Sequence, residues 1–171
     1  GRGRIPGSGS GPYNRGTLRV NLPRLAHWTA VACLAGLAVP GLAQAPAGTF
    51  TDAVAKAAAA REGRPEEALR WYQEAVRLRP SWDEGWWWIG ALSYERADHE
   101  ESARAFSRFV ELKPDAGPGW ALLGLSEFER KSYDAALEHL TRGLSLGTVG
   151  NAEVRDAVYY HVALLRIRAG Q

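Results

Sequence analysis

Sulfur-containing residues are nearly absent from this 171-residue chain, which has no methionine and a single cysteine, Cys33. One cysteine cannot form a disulfide within the chain, and no other thiol is available as a nucleophile or metal ligand. The sequence also lacks a glycine-rich phosphate loop, a Cys/His spacing typical of metal sites and a G-x-S-x-G nucleophile motif. We therefore predict that the chain is not an enzyme and has no catalytic residue, metal or cofactor.

Acidic residues are missing from the first 45 positions, where five arginines are the only charged side chains. Of the 21 basic residues, 21 − 5 = 16 lie from residue 46 onward, against 19 acidic ones, which gives that part a net charge of −3. The overall charge of +2 therefore belongs to the N-terminal leader. Because the remainder has no basic stripe, we predict no nucleic-acid partner.

The first 47 residues have a composition of their own. Residues 1–24 are rich in glycine, arginine and proline, and residues 25–43 (LAHWTAVACLAGLAVPGLA) are apolar and uncharged. Small residues at Ala43, Ala45 and Ala47 then form two overlapping cleavage-type sites. The pattern of 25–47 predicts a signal peptide and an exported protein, periplasmic or secreted, with cleavage after Ala45 or Ala47. The alternative is a retained membrane anchor, for which the segment is short.

A period of 34 residues organises the rest of the chain. Six positions recur at this spacing: Trp86 and Trp120, Ile89 and Leu123, Gly90 and Gly124, Ser102 and Ala136, Phe106 and Leu140, Phe109 and Gly143. A fixed period of this length indicates stacked helical hairpins rather than one closed core. Pro114 closes the frame, since proline cannot continue a helix.

The motif W-x2-[IL]-G, followed by a small residue, an aromatic or leucine and a closing proline, resembles the tetratricopeptide repeat (TPR) over about residues 49–171. The resemblance implies an all-α fold, an α-α solenoid of about three and a half repeats. These are repeat one at 49–82, repeat two at 83–116, repeat three at 117–150, and the loop and first helix of a partial repeat four at 151–171. In repeat two, the helices are expected at about Glu84–Arg96 and Glu100–Leu112.

The two ends of the repeat region depart from this pattern. The first helix of repeat one is alanine-rich, with Thr51 as its expected N-cap, and Trp82 is expected to fill the junction with repeat two. The last helix is expected from Asp156 to Gln171, with Tyr159 in the tryptophan position. Because no second helix follows it, we expect the chain to be part of a longer protein; the alternative is a protein that ends on an unpaired helix.

In proteins that this chain resembles, the first helices of the hairpins line a concave groove that binds peptides. The resemblance places apolar and aromatic residues there: Trp87, Ala91, Tyr94, Ala121, Leu125, Phe128, Tyr160 and Leu164. Trp86 and Trp120 are expected in the core, and Trp88 is left open. Exposed apolar surface and aromatic anchors are typical of binding sites. We predict a scaffold that binds a protein or peptide partner without catalysis.

Three other interpretations stay open at this point. Several of the groove residues would pack against neighbouring helices instead of a partner. The repeats would be the docking module of a longer enzyme whose catalytic domain lies beyond residue 171. The chain would be a membrane-anchored assembly factor that keeps residues 25–43. Because the groove positions that would clamp a C-terminal carboxylate are apolar, that ligand is not expected.

Overall fold

A computed structural model describes residues 48–147 and 152–170, which form seven helices and no strand. The helices are α1 (Phe50–Ala60), α2 (Pro65–Leu78), α3 (Asp83–Glu95), α4 (His99–Leu112), α5 (Gly117–Glu129), α6 (Tyr133–Leu146) and α7 (Ala152–Arg168). The predicted all-α fold is confirmed. The bounds of α3 and α4 agree with the sequence-based expectation to within one residue.

Each helix packs mainly against its neighbours in the chain, and α7 contacts both α6 and α5. The buried apolar residues form two clusters, one of which includes residues of α1 to α4 and the other residues of α3 to α7. Because α3 and α4 contribute to both clusters, the core runs along the stack of hairpins. This is the arrangement of a helical solenoid, in which each hairpin is stabilised by its neighbours.

Glycine at two repeat positions allows the paired helices to approach closely. A Cβ atom on Gly90 would lie 2.8 Å from Cε2 of Phe106, and one on Gly124 would lie 2.7 Å from Cγ of Leu140. Glycine costs about 1 kcal/mol of helix propensity relative to alanine. The close contact between the two helices of each hairpin explains why these positions hold glycine.

The tryptophan and proline of each frame are joined by a hydrogen bond. Nε1–H of Trp86 donates to the carbonyl of Pro80 at 2.8 Å, and Nε1–H of Trp120 donates to the carbonyl of Pro114 at 2.9 Å. Both rings are half-buried and pack against the core rather than lying wholly within it. The proline after each second helix therefore also helps to fix the start of the next hairpin.

The other signature residues lie in the core, at most 3% exposed: Ile89, Phe106, Leu123, Ala136 and Leu140. A buried polar contact links repeats two and three, because the hydroxyls of Ser102 and Ser126 lie 2.8 Å apart. Ser102 also contacts the carbonyl of Gly90 at 2.9 Å. The hydroxyls of Ser102 and Ser126 therefore have hydrogen-bond partners in helices α3 to α5.

Both ends of the described region differ from the sequence-based expectation. The N-cap of α1 is Thr49 and not Thr51, since its hydroxyl accepts a hydrogen bond from the amide of Asp52 at 3.2 Å. Helix α7 begins at Ala152 rather than Asp156, and Glu153 in its first turn suits the positive end of the helix dipole. Trp82 packs between Phe50 and Tyr72, at the junction where it was expected.

The predicted leader and signal segment, residues 1–47, lie outside the described residues. Among the helices of the described part, none is long and apolar enough to span a membrane.

Candidate partner-binding surface

Three of the predicted groove residues are buried. Ala91 is 6% exposed and Leu125 is 1% exposed, and both belong to the apolar cluster that runs from α3 to α7. Ala121, on the same side of α5, is also buried. The reason is packing between neighbouring helices, since α3 packs against α4, and α5 packs against α4, α6 and α7. These residues lie beneath the predicted groove and expose little area to a partner.

Trp87 is half-buried and belongs partly to the core. Its ring meets Phe106 edge-to-face with centroids 5.6 Å apart, and Phe109 with centroids 5.1 Å apart. Edge-to-face aromatic pairs of this kind stabilise packing by about 0.5–1.5 kcal/mol beyond the buried area. Trp87 therefore anchors α3 on α4 and presents only part of its ring to the outside.

Tyr94 and Phe128 occupy the same repeat position near the C-terminal ends of α3 and α5. Each ring packs against the first residue of the next helix, Tyr94 on His99 at 5.3 Å and Phe128 on Tyr133 at 5.5 Å. Phe128 also meets the ring of His161 in α7, at 4.4 Å between centroids. The contacts hold the two half-buried aromatics at the same height in successive hairpins.

Tyr160 and Leu164 on α7 are the most accessible of the predicted groove residues, at 52% and 41% exposed. They lie four residues apart and therefore on one side of the helix. Together with Tyr94 and Phe128 they form the part of the predicted groove that remains open, which we call the aromatic surface.

Two glutamates accompany the aromatics of this surface. Glu95 and Glu129 follow Tyr94 and Phe128 directly, at equivalent positions 34 residues apart, and both are exposed. Partial burial raises the pKa of the Glu95 carboxyl. Burial, together with the nearby charge of Glu129, raises the pKa of Tyr94 to about 12. The aromatic surface therefore has an acidic edge beside a neutral phenol.

Sequence reasoning missed a cationic contact at the other end of the stack. The guanidinium of Arg61 lies 4.1 Å from the ring centroid of Trp88, and Trp88 stacks on Tyr72 with centroids 6.1 Å apart. Burial raises the pKa of Tyr72, and the neighbouring Arg61 opposes part of that shift. Arg61 lies 34 residues before Glu95, so the period itself was the signal for this position. The charge at this repeat position therefore changes sign along the stack, from positive at Arg61 to negative at Glu95 and Glu129.

A second charged contact lies inside repeat three. Nδ1 of His139 is 2.6 Å from a carboxylate oxygen of Glu127, and both side chains are largely buried. This hydrogen bond raises the pKa of His139 above its usual range, although burial opposes it. The His139 ring also lies 5.2 Å from that of Trp120. The pair joins α5 to α6 and has the character of a structural contact.

No cluster of three or more histidine, cysteine, aspartate or glutamate side chains suited to a metal occurs in residues 48–147 and 152–170. The aromatic surface places apolar rings beside carboxylates.

No protein-family model matches the chain, and no curated protein matches it in sequence. Solved structures are similar to it in three dimensions. The Sgt2 TPR domain from Aspergillus fumigatus has a TM-score of 0.56 at 18% identity, covering 76% of this chain and 83% of that one. The TPR domain of Arabidopsis OM64 has a TM-score of 0.58 at 17% identity, covering 69% of this chain and 94% of that one.

The TPR2B domain of yeast Sti1, in a complex with pHsp70, has a TM-score of 0.57 at 18% identity, covering 68% of this chain and 98% of that one. At these identities the likeness shows the fold. The described part of the chain is thus a TPR-type α-α solenoid.

Proposed function

We propose that the chain is a non-catalytic scaffold that binds a protein or peptide partner on the aromatic surface. The observation that carries the proposal is the repeated pairing of an aromatic with a glutamate, Tyr94–Glu95 in α3 and Phe128–Glu129 in α5. The exposed side chains of Tyr160 and Leu164 extend the same surface onto α7. The complex of the Sti1 domain with pHsp70 supports a peptide or protein as the kind of ligand.

The chemistry of the surface favours one class of peptide. Apolar side chains of the peptide would pack on Phe128, Tyr160 and Leu164, where they would be removed from water. A lysine or arginine beside them would face Glu95 and Glu129, which adds electrostatic complementarity. We therefore propose a ligand in which aromatic or aliphatic residues alternate with basic ones.

A random peptide library displayed on phage, panned against the full-length chain, tests this proposal. Selected peptides are then synthesised, and their dissociation constants are measured by fluorescence anisotropy. Tyr160→Ala with Leu164→Ala is expected to weaken binding at least tenfold, because the two most accessible apolar side chains of the surface are lost. Glu95→Gln with Glu129→Gln is expected to weaken it about two- to fivefold and to reduce its salt dependence.

The matched control is Arg70→Gln with Arg104→Gln, on exposed faces of the second helices α2 and α4. These changes should leave the dissociation constants unchanged. Selected peptides without basic residues would refute the proposed ligand class. Peptides whose binding depends on Arg70 and Arg104 would place the binding site on the second helices instead.

We further propose that the protein is exported, on the basis of the apolar segment at 25–43 and the small residues at 43–47. Fusing residues 1–50 to alkaline phosphatase, which is active only after export, gives the test in a bacterial host. Activity together with a mature N-terminus at Pro46 or Gly48 is expected. Activity retained only in the membrane fraction would favour the anchor, and an inactive fusion would contradict export.

A further inference from the structure

Arg61 is held against an aromatic ring at the end of α1. Its guanidinium lies 4.1 Å from the ring centroid of Trp88 in α3, and both residues are half-buried. Tyr72 stacks on the same ring with centroids 6.1 Å apart. Its phenol is close enough to Arg61 for the guanidinium to oppose the rise that burial causes in the pKa of Tyr72. These contacts fix the position of the cation between α1 and α3.

Arg61 has no ion pair within the part of the chain that the structure describes. Arg64, three residues further on, does have one, with Glu67 at 2.7 Å. Glu84 lies beside the Trp88 ring, since Nε1–H of Trp88 donates to its carboxylate at 3.4 Å, but it is not paired with Arg61. Because a guanidinium has five N–H donors, Arg61 can donate to a carboxylate from outside the chain.

The charge on Arg61 has a counterpart of opposite sign on α3. Trp88 and Glu95 are seven positions apart, and so they lie on the same side of the helix. That spacing corresponds to about 10 Å along the helix axis. Glu95 likewise has no ion pair among the residues that the structure describes. This side of α3 therefore has a positive charge at the Trp88 ring and a negative charge about two turns further on.

We propose that Arg61 binds the side-chain carboxylate of an aspartate or glutamate in the same peptide whose basic residue faces Glu95. This inference rests on the proposed function. An extended chain rises about 3.3 Å per residue, so the acidic residue lies about three residues from the basic one. The two oxygens of a carboxylate match the N–H groups of a guanidinium. A phosphate group brings a charge of about −2, which Glu84 disfavours more strongly than the single charge of a carboxylate.

Three peptides test the proposal on the full-length chain by fluorescence anisotropy: EGSKFKLKFKSGQ, QGSKFKLKFKSGE and QGSKFKLKFKSGQ, each acetylated and amidated to remove the terminal charges. A flexible glycine-serine spacer places the terminal glutamate or glutamine three residues from a lysine. At least one glutamate peptide should bind about two- to fivefold more tightly than the glutamine peptide, as for a partly exposed ion pair. Non-specific attraction to the glutamates of the surface would give the opposite order, because glutamate lowers the positive charge of the peptide.

Variants of the chain assign this gain in affinity to a residue. Arg61→Gln should remove the gain and leave the binding of the glutamine peptide unchanged. Arg79→Gln is the matched control and should keep the gain, because the Arg79 guanidinium also lies over a ring, 3.7 Å from the centroid of Phe50, but at the opposite end of α1. Glu84→Gln should enlarge the gain, since it removes a nearby negative charge. Circular dichroism checks that each variant keeps the native helicity.

The outcomes separate this inference from the proposed function. Glutamate peptides that bind the native chain no more tightly than the glutamine peptide would overturn the role of Arg61, whatever the folding of the variants. The aromatic surface would then remain the binding site if Tyr160→Ala with Leu164→Ala weakens the binding of all three peptides. A gain that survives Arg61→Gln, or that Arg79→Gln also removes, would overturn the inference too. If none of the three peptides binds, the proposed ligand class and this inference fail together.

Discussion

Repeats two and three share the contacts made by their periodic residues, which we call the shared skeleton, and differ in the residues between those positions. In both repeats, the tryptophan donates a hydrogen bond to the proline carbonyl six residues earlier. A glycine in the first helix allows the large residue of the second helix to pack closely against it. At the positions where repeat three has Glu127 bonded to His139, however, repeat two has the buried residues Ser93 and Ala105. The periodic residues thus set the geometry of a hairpin, and the residues between them set its local stability.

The largest difference between the two repeats is expected from changing their glycines to alanine. At Gly124 the new Cβ would lie 2.8 Å from the backbone nitrogen of Leu140, so α6 itself must move. At Gly90 its three nearest neighbours would all be ring atoms of Phe106, a side chain that moves more easily than a helix backbone. Allowing for a gain of about 1 kcal/mol in helix propensity, we expect a net loss of about 2 kcal/mol for Gly124→Ala and about 1 kcal/mol for Gly90→Ala.

Urea titrations of the full-length variants, followed by circular dichroism, measure both free energies of unfolding. Equal losses of unfolding free energy, or a larger loss for Gly90→Ala, would show that contact with a backbone atom does not explain the difference between the two glycine positions.

Replacing each tryptophan by phenylalanine is expected to have a smaller effect. Trp86→Phe removes the hydrogen bond to Pro80 and should lower the free energy of unfolding by about 1 kcal/mol. Trp120→Phe should cost slightly more, because Arg142 also lies 4.6 Å from the Trp120 ring centroid. The same urea titrations test this pair, and no loss in either variant would remove the hydrogen bond from the shared skeleton.

The pH dependence of stability should distinguish repeat three from repeat two. Glu127 raises the pKa of His139 in the folded state, so the imidazolium is favoured there. Its contribution is complete below the unfolded-state pKa of about 6.5 and is lost as pH rises through the higher folded-state value. His139→Gln should therefore flatten the decline in stability on the alkaline side of pH 6.5.

Glu127→Gln is the matched variant and should flatten the same part of the profile. Thermal melts between pH 5.5 and 8.5 provide the measurement. A decline that both variants retain in full would assign it to another group.

The smallest effect is expected from the ion pair that joins the two repeats at the surface. Arg130 in repeat three contacts Glu100 in repeat two at 2.7 Å, with both side chains substantially exposed. Arg130→Gln should lower the free energy of unfolding by less than about 0.5 kcal/mol. The difference from the native chain should vanish in 1 M salt, where such pairs are screened. A loss that persists there would indicate a packing role for the arginine.

The skeleton of the hairpins was accessible from the sequence because it depends on local spacing. Trp86, Gly90 and Pro114 recur or close a frame, and each acts within its own hairpin or on the next residues along the chain. The burial of Ala91 and Leu125 was not accessible, because it depends on how closely neighbouring helices of the stack pack together. The start of α7 was missed because no proline closes repeat three, so the spacing after it is not fixed.

The charged row at Arg61, Glu95 and Glu129 could have been found from the period alone, since these residues are 34 positions apart. Their contacts could not have been found in this way, because the guanidinium of Arg61 packs on the ring of Trp88 in the next repeat. The apolar pattern therefore predicted which helices line the surface, and the structure shows which of their side chains are exposed.

Mapping where a selected peptide binds tests the proposed recognition surface most directly. Amide chemical shifts of the full-length, isotope-labelled chain are recorded as the peptide is added. We expect the largest changes at residues 94–95, 128–129, 160 and 164, across three successive first helices. Changes confined to α2, α4 and α6 would contradict it, because the partner would then bind the second helices and the aromatic surface would have only a structural role.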